Sequence, residues 1–165
     1  KNYDPGNPSD VVYTGSKKIT DIEPETGLTY GKLLLSPTRT YAPVIKEILA
    51  KLRPAVHGMV HCSGGAQTKV LHFIDNLRVI KDNLFPVPPL FKAIKEESGT
   101  GWAEMYKVFN MGHRMEIYTD EKSAEEMISI AHSYGIDAKI IGRVEECDHK
   151  EVVVSGEFGT YTYNS

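Results

Sequence analysis

Apolar residues recur with two different periods in the first third of the chain. Six of them fall on one helical stripe ahead of Pro54, namely Tyr41, Val44, Ile45, Ile48, Leu49 and Leu52. This spacing predicts a helix, which Pro43 permits in its first turn and Pro54 ends. Beyond Pro54, every second residue from Val56 to Cys62 is apolar or small, which predicts a strand. That strand runs directly into Gly64 and Gly65.

The rest of the chain continues to alternate between helical and strand-like patterns. We predict further helices over residues 68–77, 89–97 and 105–109, and one that Ser123 and Glu126 open as a capping box and Gly135 closes. That last helix is expected to bury four residues: Ala124, Met127, Ile128 and Ala131. Strands are predicted over residues 78–80, 114–118, 136–144 and 151–154. We expect loop within residues 82–101 and a frayed tail over 157–165. Strands interleaved with helices, without an internal repeat, predict a layered α/β domain.

Composition narrows the class of protein. A chain of 165 residues with 41% hydrophobic and 25% charged residues is long enough for one compact domain. A net charge of -3 gives no general attraction to nucleic acid or to an anionic membrane. No apolar run approaches the roughly 20 residues of a spanning helix, and the N-terminus has no signal pattern. We therefore expect a cytoplasmic protein, and its two cysteines, Cys62 and Cys147, to be reduced.

The strand-to-helix junction at Ser63-Gly64-Gly65 is the first candidate for a binding site. Glycines let the backbone approach a ligand closely, and the first amides of a following helix are unpaired donors. An anion such as phosphate would satisfy them. The alternative is a plain turn that uses two glycines for its geometry.

Other chemistries fit this region less well. Along a strand, His57 and His61 lie about 13 Å apart, too far to share one metal ion, and Cys62 points to the face opposite His61. Ser63 precedes its glycines and so lacks the nucleophile elbow of a Ser-His-Asp hydrolase. His61 either belongs to the binding site, where it would orient the turn by hydrogen bonding, or is a buried core histidine.

Three ordered motifs carry a resemblance to a known family. The chain reads LSPTRTY from Leu35, HCSGGA from His61 and EMYKVFNMGHRM from Glu104. It resembles the C-terminal domain of phosphoribosylformylglycinamidine cyclo-ligase, also called aminoimidazole ribonucleotide synthetase, over roughly Leu28 to Val154. Three motifs in order are much more specific than one glycine-rich loop.

The resemblance implies a fold, an activity and partners. The fold would be a three-layer α/β/α sandwich with a mixed sheet and partial ferredoxin-like topology. The activity would be an ATP-dependent ring closure in purine biosynthesis that uses ATP and Mg²⁺. Residues 1–27 would connect to a missing N-terminal ATP-binding domain, residues 28–155 would form the cyclo-ligase-type domain, and 156–165 the tail. The full-length enzyme would be a homodimer with a nucleotide substrate, and this chain alone would be inactive.

The resemblance also implies roles for particular residues, although it names no catalytic residue. Ser63, Gly64 and Gly65 would bind a ligand phosphate, and Thr38 and Arg39 would position the ligand. Asn110 and Gly112 would line a cleft shared with the missing half. An Asn-x-Gly pair can also simply close a turn, and Arg39 can pair with an acidic neighbour instead of a phosphate.

The chain departs from the family pattern beside the glycine turn. Ala66 stands where relatives have a third glycine, Phe73 stands for an arginine, and Arg114 stands for a glycine. Lys69, Arg114 or both would then supply the positive charge. The alternatives are another enzyme of the superfamily, of the formylglycinamidine synthetase, selenophosphate synthetase or thiamine-monophosphate kinase type, and a noncatalytic ferredoxin-like ligand-binding module.

Overall fold

A computed structural model describes Gly6, residues 15–37 and residues 39–164. Five α-helices occur in it: α1 (Tyr30–Leu34), α2 (Ala42–Leu52), α3 (Pro89–Ser98), α4 (Trp102–Val108) and α5 (Glu121–Ser133). The strands are β1 (Gly58–His61), β2 (Leu77–Lys81), β3 (Met115–Tyr118), β4 (Gly142–Glu146), β5 (Glu151–Gly156) and β6 (Gly159–Asn164). Two 3-10 helices cover Arg53–Ala55 and Ala66–His72. No helix among these residues is long and apolar enough to cross a membrane.

The chain divides into two compact units. One comprises Lys1–Pro37 with Pro88–Gly101, and the other comprises Thr38–Val87 with Trp102–Ser165. In the smaller unit, α1 contacts α3. The Glu97 carboxylate of α3 accepts hydrogen bonds from the backbone and hydroxyl of Ser16. Helix α3 ends at Gly99, whose φ of 67° is the left-handed conformation expected of a helix-ending glycine.

The larger unit contains two sheets. Strands β1 and β3 form an antiparallel pair in which Val60 lies opposite Glu116. The other sheet has the order β4-β2-β5-β6, in which β2 and β5 are parallel and the other pairs are antiparallel. Because β4 and β5 flank β2, the segment 147–150 that joins them crosses the start of β2. The mixed α/β class is confirmed, and the three-layer arrangement stays a prediction.

Helices α2 and α5 supply a compact apolar cluster to the larger unit. The buried members are Val44, Ile48, Met127, Ile130 and Ala131. The stripe predicted for α2 is confirmed, with Pro43 in the first turn. In α5, Met127 and Ala131 are buried as predicted, and Ile130 is buried where we expected Ile128. Complete burial of a Leu- or Ile-sized side chain is worth about 1.5–3 kcal/mol, so this cluster is a main source of stability.

Four predictions about local structure were wrong. Residues 66–72 form a 3-10 helix, and Leu77 already belongs to β2. Asp120 caps α5 by accepting from the Ser123 backbone N–H at 2.9 Å, in place of the Ser123 and Glu126 box. The strand expected over 136–144 begins only at Gly142. The tail expected to fray is β6, because β5 offers it a full antiparallel edge and the Tyr163 hydroxyl donates to the Ala103 carbonyl at 2.7 Å.

Candidate functional site

The turn after β1 has an unusual run of left-handed backbone. Gly64, Gly65 and Ala66 have φ values of 51°, 91° and 43°. Glycine adopts this conformation freely, whereas alanine pays about 1–2 kcal/mol for it. Ala66 is nevertheless held there with only 1% of its surface exposed. The third position of the turn therefore keeps a glycine-like conformation although its residue is alanine.

This turn presents a row of unpaired backbone donors. Among the described residues, nothing accepts from the N–H groups of Gly64, Gly65, Ala66 and Gln67. Successive N–H groups in such a turn form a concave anion site, because their partial positive charges add. A side chain placed at Gly64 would meet no atom within 4 Å, so the turn is open on that side.

Two side chains of the 3-10 helix hold the turn in shape. The Thr68 hydroxyl donates to the Gly65 carbonyl at 2.8 Å. The Lys69 ammonium donates to the Ser63 carbonyl at 2.7 Å and lies 3.4 Å from the Ser63 hydroxyl. A positive charge therefore lies at the rim of the turn, as expected if Lys69 replaces the family arginine.

The Asn110-Met111-Gly112 segment forms a second turn. The Asn110 side-chain oxygen accepts from the Gly112 N–H at 3.0 Å, which is the bond that closes an Asx-turn. Met111 and Gly112 have positive φ values of 52° and 97°. The turn-closing reading of this Asn-x-Gly pair is thus observed, and its ligand-binding role stays a prediction.

Gln67 connects the two turns. Its side chain is fully buried, and its Nε2 donates to the Asn110 carbonyl at 2.7 Å. Its own carbonyl accepts from the Lys81 ammonium at 2.7 Å, and its Oε1 lies 3.3 Å from the same nitrogen. One side chain therefore couples the glycine turn to the Asn110 turn and to the end of β2.

A buried ion pair joins the two sheets behind these turns. Lys81 Nζ of β2 lies 2.5 Å from Glu116 Oε1 of β3, and both side chains are at least 96% buried. The Tyr118 hydroxyl donates to the other carboxylate oxygen at 2.7 Å. Buried charges are stable only when paired and hydrogen-bonded. Sequence reasoning missed this group, although a charged residue on the inward face of each strand was the available signal.

Burial shifts the pKa values of groups packed near this ion pair. Burial raises the pKa of the Cys62 thiol to about 12, and the nearby Glu116 carboxylate adds to the effect. Burial lowers the pKa of His113 to about 4. The His113 Nε2 accepts from the Phe85 backbone N–H at 3.0 Å, which requires the neutral ring. Both groups are therefore uncharged at neutral pH.

A cleft of about 400 Å³ in the same unit is lined by residues 82–87 and 155–157 together with Tyr106. Tyr106 is 1% exposed, and its hydroxyl has no hydrogen-bond partner in the part of the chain that the structure describes. A side chain at Gly156 would come within 2.6 Å of that hydroxyl. A larger residue at 156 would therefore have to displace Tyr106, which belongs to the third family motif.

The predicted site residues are only partly brought together. Gln67 links the turn containing Ser63, Gly64 and Gly65 to the turn containing Asn110 and Gly112. Arg39 is exposed and makes no ion pair among the described residues, so the carboxylate partner considered for it is not found there. Thr38 lies outside the described residues.

His61 is the last residue of β1, and Arg114 immediately precedes β3, the antiparallel partner of β1. His61 is exposed at the end of β1, so the core-histidine reading is wrong, and its carbonyl accepts from the Ser63 N–H at 2.8 Å. The carbonyl of the exposed Arg114 accepts from the Cys62 N–H at 2.9 Å. The backbone of Arg114 therefore lies beside the residue that precedes the glycine turn, and the role of its guanidinium stays a prediction.

The donor set of the glycine turn suits an anion. It consists of the N–H groups of Gly64 to Gln67, the Ser63 hydroxyl and the Lys69 ammonium, whereas Mg²⁺ requires oxygen ligands, usually carboxylates and waters. Glu116, the carboxylate in the buried group, is already held by Lys81 and Tyr118. Phosphate therefore fits these residues, and a magnesium ion would need ligands from elsewhere.

Comparison with known proteins defines the class. The family model described as AIR synthase related protein, C-terminal domain, matches residues 13–155. The chain therefore belongs to the AIR synthase related family, of which it represents the C-terminal domain.

Two relatives found by sequence comparison carry the same enzyme name. A phosphoribosylformylglycinamidine cyclo-ligase of Methanococcus vannielii is 33% identical over 146 residues, which cover 86% of this chain and 40% of that protein. Its counterpart in Methanocaldococcus jannaschii is 35% identical over 130 residues, covering 76% of this chain and 37% of that protein. The chain thus spans about two fifths of the length of these relatives.

The fold is shared with solved structures. HypE of E. coli, a hydrogenase maturation protein, matches with a TM-score of 0.54 at 24% identity, over 77% of this chain and 39% of HypE. A HypE-HypF complex contains a chain that matches with a TM-score of 0.55 at 19% identity, over 92% of this chain and 50% of that chain. At these identities the likeness concerns the fold alone.

Proposed function

We propose that this chain is the C-terminal domain of an ATP-dependent cyclo-ligase of de novo purine biosynthesis. The enzyme would convert formylglycinamidine ribonucleotide into aminoimidazole ribonucleotide, ADP and phosphate. The observation that carries the proposal is the open row of N–H donors from Gly64 to Gln67, which begins in the second family motif and ends one residue beyond it. Relatives that are 33–35% identical to this chain over the aligned residues carry the cyclo-ligase name.

Ring closure requires activation of an amide oxygen, which is a poor leaving group until it is phosphorylated. An internal nitrogen then displaces phosphate and closes the imidazole ring. In this scheme ATP supplies the phosphoryl group, and Mg²⁺ would accompany the ATP. The contribution of the protein is to align anionic groups and neutralise their charge.

The glycine turn would bind a phosphate group of the ligand. The N–H groups of Gly64 and Gly65 would donate to its oxygens, with the Ser63 hydroxyl beside them. Lys69 and Arg114 would supply the positive charge that attracts the anion. This is supported by the Lys69 ammonium, which bonds to Ser63, and by the Arg114 carbonyl, which accepts from the Cys62 N–H.

The remaining predicted residues would act around this turn. Gln67 would keep the Asn110 turn in register with it through the bond to the Asn110 carbonyl. Asn110 and Gly112 would face a cleft completed by the N-terminal domain, and His61 would orient the start of the turn. Thr38 and Arg39 would close over the ligand, Arg39 through a charge-assisted bond to phosphate. The complete enzyme would be a cytoplasmic homodimer.

The test of the activity is a turnover assay. The full-length protein that contains this chain is incubated with formylglycinamidine ribonucleotide and Mg-ATP, and ADP and aminoimidazole ribonucleotide are measured. We expect turnover by the full-length protein and none by the 165-residue chain alone. A folded full-length protein without turnover would contradict the proposed reaction.

The test of the phosphate site uses a matched pair of glycines. Gly64→Ala and Gly135→Ala introduce the same methyl group at φ values of 51° and 67°, and neither methyl meets an atom within 4 Å. Their effect on stability should therefore be similar. We expect Gly64→Ala to raise the KM for a phosphate-bearing substrate at least about tenfold, or about 1.4 kcal/mol, and Gly135→Ala to leave it unchanged. Equal KM values in the two variants would remove the turn from the binding site.

A further inference from the structure

We propose that Cys147, His149 and Glu151 form a zinc-binding site where β4 is joined to β5. The ligand atoms of these three residues all lie within 4.8 Å of one another. The His149 Nε2 lies 3.1 Å from Glu151 Oε2 and 4.0 Å from Cys147 Sγ. A thiol sulfur, an imidazole nitrogen and a carboxylate oxygen thus lie close together.

Two of these separations are close to those that tetrahedral zinc imposes. Zn–S bonds of about 2.3 Å and Zn–N or Zn–O bonds of about 2.0–2.1 Å place neighbouring ligand atoms about 3.3–3.6 Å apart. Both observed distances from His149 Nε2 differ from this range by a few tenths of an ångström. Rotations of the half-buried Cys147 and the exposed His149 side chains would complete the geometry around the fixed Glu151 carboxylate. Three protein ligands leave the fourth position to water.

The ligands already have the outer partners that zinc ligands use. His149 Nδ1 lies 2.5 Å from Asp148 Oδ1, so the ring can donate there and turn Nε2 towards the metal. A carboxylate on the second ring nitrogen is the usual partner of a metal-binding histidine. Glu151 is bonded to Arg78 through Oε1, which fixes the carboxylate with Oε2 facing His149 Nε2.

The fold explains why the residues meet. Segment 147–150 crosses the start of β2, and the Cys147 N–H donates to the Asn76 carbonyl at 3.3 Å. Glu151 is 7% exposed at the first position of β5, whereas half of the His149 side chain is exposed. Glu151 is therefore a fixed, buried ligand, and the exposed His149 leaves the site accessible from solvent. Its soft thiolate favours Zn²⁺ over Mg²⁺ or Ca²⁺.

The test is a titration of the reduced, metal-free protein with Zn²⁺, and with Co²⁺ as a spectroscopic probe. We expect one ion per chain and, with Co²⁺, the charge-transfer band of a thiolate ligand together with the visible bands of a tetrahedral ion. Cys147→Ser should abolish the charge-transfer band and weaken Zn²⁺ binding at least about 100-fold. Asp148→Ala should weaken it about 10- to 100-fold, as loss of an outer partner does.

Two matched controls separate this site from adventitious binding. Cys62→Ala removes the other cysteine, which is buried, and His132→Ala removes an exposed histidine of α5. Both should keep the stoichiometry and the cobalt spectrum. The proposal is overturned if Cys147→Ser binds Zn²⁺ as the parent does, if the cobalt spectrum shows no thiolate band, or if a control variant loses binding equally.

Discussion

The buried Lys81 and Glu116 pair allows the sharpest prediction about stability. In Lys81→Met the side chain keeps its apolar length and loses its charge. The Glu116 carboxylate then stays buried with the Tyr118 hydroxyl as its partner, and the Gln67 carbonyl loses its donor. Leaving one charge of a buried pair uncompensated costs about 3–5 kcal/mol. For a chain of this size that corresponds to a fall in Tm of about 6–20 °C.

The measurement is thermal and urea unfolding of the parent and three variants. Lys46→Met, on the exposed face of α2, is the control and should change the free energy of unfolding by less than about 0.5 kcal/mol. Lys81→Met combined with Glu116→Gln removes both charges and should recover at least about half of the loss, because no uncompensated charge is left. The reasoning is refuted if Lys81→Met unfolds like the parent, or if the double variant is no more stable than Lys81→Met.

Four further measurements follow from the structure. Tyr106→Phe should stabilise the protein by about 1 kcal/mol in urea unfolding, because it removes a buried hydroxyl that has no partner among the described residues; a loss of stability would mean that the hydroxyl is bonded. Burial lowers the pKa of His113 to about 4 in the folded protein, whereas an unfolded histidine has a pKa near 6.5. The free energy of unfolding should therefore decrease by up to about 3 kcal/mol as the pH is lowered from about 6.5 to about 4. His113→Gln should flatten that profile, and an unchanged profile would assign it to other groups. With a thiol reagent at pH 8, Cys147 should react rapidly and Cys62 only on unfolding, because burial raises the pKa of Cys62 to about 12; two fast thiols would contradict this. Asp120→Ala should destabilise the protein by about 1 kcal/mol, since it removes the cap of α5, and a Tm equal to that of the parent would rule out the capping role.

Helical periodicity and turn residues were enough to predict several elements. The stripe from Tyr41 to Leu52 predicted α2, and Gly99 marked the end of α3. The short helix predicted before Asn110 is present as α4. These features are local, because each depends on residues within a few positions of one another. The motifs around Gly64 and Asn110 likewise identified the family from short segments.

Predictions failed where distant partners decide the conformation. Residues 159–164 read as a polar tail, yet they form β6 because β5 pairs with them along its whole length. Residues 68–77 read as one helix, yet the chain must leave the 3-10 helix in time for Leu77 to pair with Glu146. In both cases pairing with another strand outweighs the local pattern.

The α/β class, the main helices, the position of the glycine turn and the family of the chain could all be predicted from the amino-acid sequence. Those properties follow from short-range spacing and from ordered motifs. Three contacts are visible only in the folded chain: Gln67 bonds the glycine turn to Asn110, Lys81 and Glu116 pair between two sheets, and Cys147 lies near Glu151. Each of these contacts depends on strand order, on register or on the path of a connecting loop. These are set by interactions between distant parts of the chain, and short-range patterns in one sequence do not reveal them.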